Sequence, residues 1–150
     1  MKVYQVSIHA KHQLREKIAD LLMLQMTRMN TKEAYQLVLN GINSALEENS
    51  PAKILIAEEE DRVLGIAFFN IGISLKKGGP YIWLNDLFVH PDHRNRGIAK
   101  KLLLHLIRWA ENEDIRGIEL ETGVNNSVTQ HLYNSLGFYD IISKRYGFNF

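Results

Sequence analysis

A basic, glycine-bearing stretch follows an apolar run past the middle of the chain. Residues 94–101 read R-N-R-G-I-A-K-K, and they come after the apolar run 81–89 and a turn that contains Pro91. This order predicts a strand, a loop and the first turn of a helix. Backbone N–H groups at a helix start, beside arginines, favour a phosphate or pyrophosphate ligand. Glycine at 97 lets the backbone approach such an anion closely, because glycine has no Cβ.

A second stretch with chemical potential begins about 30 residues later. Asn126 and Tyr133 are seven residues apart on a helical pattern, so they share one helix face. A phenol with an ordinary pKa of about 10 can protonate a departing group or hydrogen-bond to it. The residues alone better explain Tyr133 as a core tyrosine and Asn126 as a helix N-cap.

Together the two stretches resemble the GCN5-related N-acetyltransferase (GNAT) family. Residues 94–99 match its R/Q-x-x-G-x-G/A motif, and residues 126–138 match N-x-x-A-x-x-L-Y-x-x-x-G-F, with Thr129 in place of the alanine. The resemblance implies acetyl-coenzyme A as cosubstrate, with its pyrophosphate in the loop. The implied coenzyme contacts are Leu87, Phe88, Val89, Arg94, Asn95, Arg96, Gly97, Ile98, Ala99, Lys100, Asn126 and Tyr133.

The resemblance also implies two catalytic groups. The Val89 N–H is expected to polarise the acetyl carbonyl, and the Tyr133 hydroxyl to assist the leaving thiolate. The pantetheine arm is expected to pair with the backbone of residues 87–89 like an added strand. The chain has no cysteine to carry an acyl group, so direct attack by the amine in a ternary complex is predicted.

The sequence L-N-D-L-F-V at 84–89 further resembles the polyamine and diamine acetyltransferase branch. That branch often carries a proposed base, a glutamate, where this chain has Asn85, and an amide takes no proton near neutral pH. Asn85 and Trp83 are still predicted to contact the acceptor, although core packing explains Trp83 equally well. Strand alternation predicts opposite faces for Asn85 and Asp86. Three substitutes for the base remain, namely Asp86, Glu121 and His131, and Asp86 is better interpreted as a structural carboxylate.

The whole-chain properties limit the classes of function. The 150 residues have a net charge of +1, which favours neither nucleic acid nor membrane. We expect one domain over residues 1–150, in the cytoplasm, with no nucleic-acid or membrane partner, and a homodimer is left open. No metal site is predicted, since His90 and His93 are better explained as turn residues. The predicted acceptor is a small primary amine. The alternatives are a protein N-terminus or lysine, or a non-catalytic coenzyme-A sensor.

Hydrophobic periodicity predicts an α/β fold with a mixed sheet. The βαβ unit over residues 81–122 requires parallel strands, and the hairpins before it require antiparallel ones. The family resemblance implies a sheet that splays at its fourth and fifth strands, with helices on both faces. An Asn30–Glu33 pair is predicted to cap the second helix. Strands are predicted at 2–8, 53–58, 63–73, 81–89, 117–122 and 138–148, and helices at 14–29, 31–48, 97–113 and 126–136.

Overall fold

The computed structural model describes residues 1–26, 31–122 and 126–150. The helices and strands follow one another along this part of the chain in the order that the sequence predicts, as far as α4. They are β1 (Lys2–Gln5), α1 (His12–Gln25), α2 (Lys32–Ala45), β2 (Ala52–Glu59), β3 (Arg62–Ser74), β4 (Gly79–Val89), α3 (Ile98–Asn112), β5 (Ile118–Leu120) and α4 (Ser127–Ser135).

The five strands form one mixed sheet in the order β1-β2-β3-β4-β5. The first three pairs are antiparallel, and β4 and β5 are parallel. One face of the sheet is covered by α1 and α2, through a cluster that includes Ile18, Ile42 and Ile56. The other face is covered by α3 and α4, through a cluster that includes Leu102 and Tyr133. The predicted mixed sheet with helices on both faces is therefore confirmed.

The sheet opens between β4 and β5. The two strands pair only from Ile82 to Leu84 on β4, although β4 continues to Val89. A β-bulge lies at the same place, because Phe69 pairs with Leu84 while Phe68 pairs with Asp86, so the residue between them has no partner. β4 therefore runs past the end of β5, and beyond Leu84 this edge has no partner strand within residues 1–26, 31–122 and 126–150; the family resemblance implies such a splayed sheet.

Close packing of α3 on β3 sets the position of the helix start. A Cβ added to Gly65 of β3 would lie 2.9 Å from Cγ2 of Ile98 and 3.1 Å from Cδ1 of Leu102. Glycine at 65 therefore allows the first turns of α3 to approach the sheet closely. This contact fixes where the helix N-terminus emerges beyond the carboxyl end of β4.

Two predictions about the elements need correction. The strand predicted at 138–148 is wrong, since residues 138–150 have no regular secondary structure. A strand needs a neighbour to complete its hydrogen bonds, and nothing within the described ranges pairs with this segment.

The second correction concerns the cap of α2. Thr31 caps the helix, its Oγ1 accepting from the Ala34 N–H at 3.1 Å, because α2 begins one residue later than an Asn30 cap requires. Asn30 and the predicted end of the first helix at Met29 lie outside the described residues.

Candidate active site

The loop between β4 and α3 presents an open, glycine-lined surface. Pro91 starts a short 3₁₀ turn, and Nδ1 of His90 accepts from the Asp92 N–H at 3.1 Å. Both Asn95, at φ 64°, and Gly97, at φ 73°, have left-handed backbone conformations. A Cβ on Gly97 would meet no atom within 4 Å, so the space in front of this glycine is open.

Backbone donors converge at the start of α3. The Lys101 N–H donates to the Gly97 carbonyl at 3.0 Å in the first bond of the helix. The N–H groups of Ile98, Ala99 and Lys100 precede that bond, and no side chain caps them. Unpaired N–H groups at a helix start carry partial positive charge and bind anions. Together with the space at Gly97, they fit a pyrophosphate.

The two arginines of this loop have different surroundings. Nη2 of Arg96 contacts both carboxylate oxygens of Glu59, at 2.9 and 3.1 Å, and its Nη1 lies 3.0 Å from Nδ1 of His93. The hydrogen bonds from Arg96 hold the pKa of Glu59 below its ordinary value. Arg94 donates only a long bond, from Nε to the Val89 carbonyl at 3.4 Å. Arg96 is therefore tied to β2, whereas the terminal nitrogens of Arg94 make no hydrogen bond within the described residues.

The edge of β4 beyond Leu84 carries backbone groups that have no partner strand among the described residues. The His90 N–H donates to the Leu64 carbonyl of β3 at 2.7 Å. Successive N–H groups of a strand point to opposite edges. The N–H groups of Val89 and Leu87 therefore point away from β3, toward the side where β5 has already ended. Donors with this orientation are available to a ligand in the gap.

Tyr133 faces the same gap. Its side chain is only 8% exposed, and its ring packs edge-on against Phe138 with the centroids 5.6 Å apart. Burial raises the pKa of the Tyr133 phenol. The hydroxyl has no hydrogen-bond partner within the described ranges. Every fully buried side-chain oxygen or nitrogen in those ranges does have a partner, so the hydroxyl is not fully buried. Tyr133 lines a cavity of about 170 Å³ together with Leu84, Asn85, Asp86 and Leu87.

The predicted opposition of Asn85 and Asp86 is wrong. Asn85 accepts a hydrogen bond from Asn70 at 2.8 Å, and Asn70 lies opposite Trp83 across the β3–β4 ladder. Asn85 therefore shares the face of Trp83, which is opposite to that of Leu84. Leu84 and Phe88 are four positions apart, so strict alternation would place them on one face. Instead, Leu84 packs against α3 before the bulge, and Phe88 packs against α1 and α2 after it.

The physical reason is the extra residue in β4, which restarts the alternation one position late. Asp86, two residues before Phe88, points to the same face as Asn85. Burial raises the pKa of Asp86, and its carboxylate has no ion pair or hydrogen bond in the described part of the chain. Asp86 and Tyr133 both line the smaller cavity, and burial increases the proton affinity of the Asp86 carboxylate.

A wider cleft of about 430 Å³ adjoins this cavity. It is lined by Trp83, Leu84, Asn85, Glu121, Thr122 and Arg145. Glu121 accepts a hydrogen bond from Nη1 of Arg145 at 2.6 Å. Sequence analysis missed Arg145, because it is 24 positions from its partner and no local pattern marks it.

The remaining candidates have separate positions. His131 is exposed and lines neither cavity. Asn126 caps α4, its Oδ1 accepting from the Thr129 N–H at 3.3 Å, and it also lines the smaller cavity. The N-cap interpretation of Asn126 is therefore correct, and its coenzyme contact stays a prediction. Among the described residues, no group of three His, Asp or Glu side chains has a metal-binding arrangement.

Comparison with known proteins gives the class to which this geometry belongs. The model of the Acetyltransferase (GNAT) family matches residues 15–138. The chain belongs to this family, which confirms the resemblance found in its sequence. A solved structure described as a probable acetyltransferase superposes with a TM-score of 0.82 at 23% identity, covering 100% of this chain and 98% of that one. That likeness confirms the fold.

Two relatives are more similar in sequence over shorter stretches. An aminoglycoside N(6')-acetyltransferase type 1 of Salmonella typhimurium is 36% identical over 59 residues, which is 39% of this chain and 41% of that protein. The L-amino acid N-acyltransferase MnaT of Escherichia coli is 35% identical over 89 residues, which is 57% of this chain and 49% of that protein. The chain thus spans less than half the length of these relatives.

No helix in the described ranges is long and apolar enough to cross a membrane.

Proposed function

We propose that this chain transfers an acetyl group from acetyl-coenzyme A to a primary amine of a small cationic acceptor, by direct attack in a ternary complex. One observation carries the proposal. Leu87 of β4, Tyr133 and Asp86 line one cavity, beside the part of β4 that continues past the end of β5. The open start of α3 lies at the same carboxyl end of β4.

The coenzyme would be held at the start of α3. The N–H groups of Ile98, Ala99 and Lys100 bind the pyrophosphate, and the left-handed turn at Gly97 keeps the backbone close to it. Arg94 adds a charge-assisted bond from its uncommitted terminal nitrogens. Arg96 fixes the loop against β2 through Glu59. When bound, the coenzyme supplies an activated thioester.

Three groups of the chain would assist the reaction. The Val89 N–H polarises the acetyl carbonyl from the free edge of β4. Asp86 accepts a proton from the acceptor's ammonium group, so that the neutral amine attacks the thioester, and desolvation brings the pKa of Asp86 closer to neutral pH, where a general base is most effective. The Tyr133 hydroxyl donates to the departing sulfur, and its raised pKa keeps the phenol protonated at neutral pH. Asp86 and Tyr133 line the smaller cavity, and Val89 lies on the part of β4 that continues past the end of β5.

The cleft favours a cationic acceptor. Glu121 contributes a carboxylate that pairs with the Arg145 guanidinium at 2.6 Å, and an ammonium group of the acceptor would replace Arg145 in this pair. Asn85 and Trp83 line the same cleft and provide a carboxamide and an indole for an amine-rich or hydroxyl-rich molecule. One relative is named as an aminoglycoside acetyltransferase, and aminoglycosides carry several ammonium groups. We therefore infer an acceptor with at least two ammonium groups, one reacting and one paired with Glu121.

An acceptor panel with acetyl-coenzyme A tests this proposal. Aminoglycosides, polyamines, amino acids and peptides are compared by mass spectrometry of the acetylated product. Glu121→Gln should raise the KM of a cationic acceptor about 10-fold, the usual size of one charge-assisted bond. Glu119→Gln on β5 is the matched control, since Glu119 lies outside the cleft. Acetylation of neutral amino acids or peptides alone, unchanged in Glu121→Gln, would reject the cationic acceptor.

A further inference from the structure

Arg145 makes the one polar contact between residues 139–150 and the rest of the chain that the structure describes. Its Nη1 donates to Oε2 of Glu121 at 2.6 Å. The backbone of residues 139–150 makes no hydrogen bond to the other described residues, and every residue of this segment is exposed. The segment therefore brings a guanidinium to Glu121 without regular secondary structure to hold it there.

This contact lies in the cleft that the acceptor is proposed to enter. Arg145 and Glu121 line the cleft together with Trp83 and Asn85. A guanidinium and an alkylammonium group both pair with a carboxylate through charge-assisted N–H bonds. An ammonium group at the Glu121 carboxylate would also meet the like charge of Arg145. The two cations therefore compete for one carboxylate.

The exposure of the pair allows the two cations to exchange. The side chain of Arg145 is 72% exposed and that of Glu121 is 36% exposed. Water solvates both charges at such a site, so an ion pair there favours the paired state by at most about 5-fold. An ammonium group of an acceptor can therefore displace Arg145, but it must compete with the guanidinium to do so.

We propose that Arg145 is a specificity-determining residue of the acceptor site, where it acts as an internal competitor for Glu121. The inference rests on the proposed function, since it concerns the same cleft. An acceptor whose second ammonium group pairs with Glu121 displaces Arg145, and this competition raises its KM by at most about 5-fold. A monoamine has no second cation to place on Glu121 and leaves the pair intact. Arg145 thus sets how strongly the second ammonium group contributes to recognition.

A double-mutant cycle tests the competition through the acceptor KM. Arg145→Gln should lower the KM of spermidine about 2- to 5-fold, and it should change the KM of butylamine less. In a Glu121→Gln background the same substitution should have no effect, because no carboxylate remains to compete for. Lys144→Gln is the matched control, since it removes the neighbouring positive charge of the segment. A spermidine KM that does not fall in Arg145→Gln, or that falls equally in the Glu121→Gln background, would overturn the inference.

A nuclear magnetic resonance titration separates this inference from the proposed reaction. The Nε–H cross-peak of Arg145 is identified by its absence from the spectrum of Arg145→Gln, and spermidine is added at constant ionic strength without acetyl-coenzyme A. We expect the peak to move in the wild type and to stay in place in Glu121→Gln. A peak that moves, in a protein that acetylates no amine, would reject the proposed reaction and support the competition. A peak that stays in place in the wild type would overturn the competition.

Discussion

The loop proposed to bind the coenzyme and the cleft proposed to bind the acceptor lie at the same end of the sheet, but they are assembled differently. The loop comes from one continuous stretch, and its anion-binding groups are backbone N–H groups of neighbouring residues. The cleft combines β4, residues that follow β5, and Arg145 from residues 138–150. A site built from neighbours is determined by local conformation, whereas a site built from distant residues depends on topology and on contacts such as Glu121–Arg145.

The largest expected effect is on the loop. Gly97→Trp should reduce coenzyme binding below detection by calorimetry, because the side chain fills the space in front of the helix start. Gly78→Trp is the matched control, since Gly78 also has a positive φ, at 82°, and no atom near its missing Cβ. Both variants carry the same backbone strain, on the order of 1–2 kcal/mol. Equal coenzyme affinity in the two folded variants would place the coenzyme elsewhere.

Asp86→Asn tests the cavity between the two regions. The kcat should fall on the order of 10²- to 10⁴-fold, because the amide accepts no proton. Coenzyme affinity should be unchanged, and Asp92→Asn in the 3₁₀ turn is the control. Full activity of Asp86→Asn, with an unchanged pH profile, would return Asp86 to a structural role.

The same variant gives a test of stability. Burial raises the pKa of Asp86 in the folded state, so this group favours folding below its ordinary pKa. That contribution is lost as the pH rises through the folded pKa. Asp86→Asn should therefore increase the free energy of unfolding at neutral pH, and the gain should disappear in acid. Urea denaturation at the two pH values measures it, and a loss of stability at neutral pH would contradict the assigned cause.

Tyr133→Phe should lower turnover 10- to 10⁴-fold and leave coenzyme binding nearly intact. The ring packing against Phe138 is kept, so only the hydroxyl is lost. Tyr35→Phe on α2 is the control, since this tyrosine lines neither cavity. Rates are compared under conditions where chemistry limits turnover. Equal turnover in wild type and Tyr133→Phe would make Tyr133 a packing residue.

The smallest expected effect separates the two arginines. Arg94→Ala should weaken coenzyme binding about 10-fold in a salt-dependent way, as for one exposed charge-assisted bond. Arg96→Ala should weaken it less, and Glu59→Gln should have the same effect as Arg96→Ala, because these two residues act as a pair. Calorimetry at two salt concentrations measures both. A larger loss in Arg96→Ala than in Arg94→Ala would mean that Arg96 leaves Glu59 to bind the coenzyme.

The sequence predicts well what depends on neighbouring residues. The order of strand, loop and helix was predicted from the apolar residues of β4, the glycine at 97 and the apolar periodicity of α3. The structure confirms this order. The family motifs at 94–99 and 126–138 led to the correct family. These features depend on backbone geometry and on local spacing, which a single sequence contains.

The sequence fails where distant residues decide. Strict alternation predicted opposite faces for Asn85 and Asp86. This prediction is wrong because of the bulge in β4, and a bulge depends on how β3 pairs with β4, which the sequence alone does not specify. The strand expected at 138–148 is rich in aromatic and β-branched residues, but a strand also needs an edge to pair with, and composition does not specify one. Arg145 was missed for the same reason, since only the fold brings it to Glu121.

Thiol release in the presence of acetyl-coenzyme A and an amine tests the central claim most directly. The chain has no cysteine, so every thiol that appears belongs to the coenzyme. Initial rates are measured over a grid of acetyl-coenzyme A and cationic acceptor concentrations. We predict amine-dependent thiol release with intersecting double-reciprocal lines, as direct transfer in a ternary complex requires. Coenzyme binding without thiol release for any amine of the panel would contradict the account and make this chain a coenzyme-binding module.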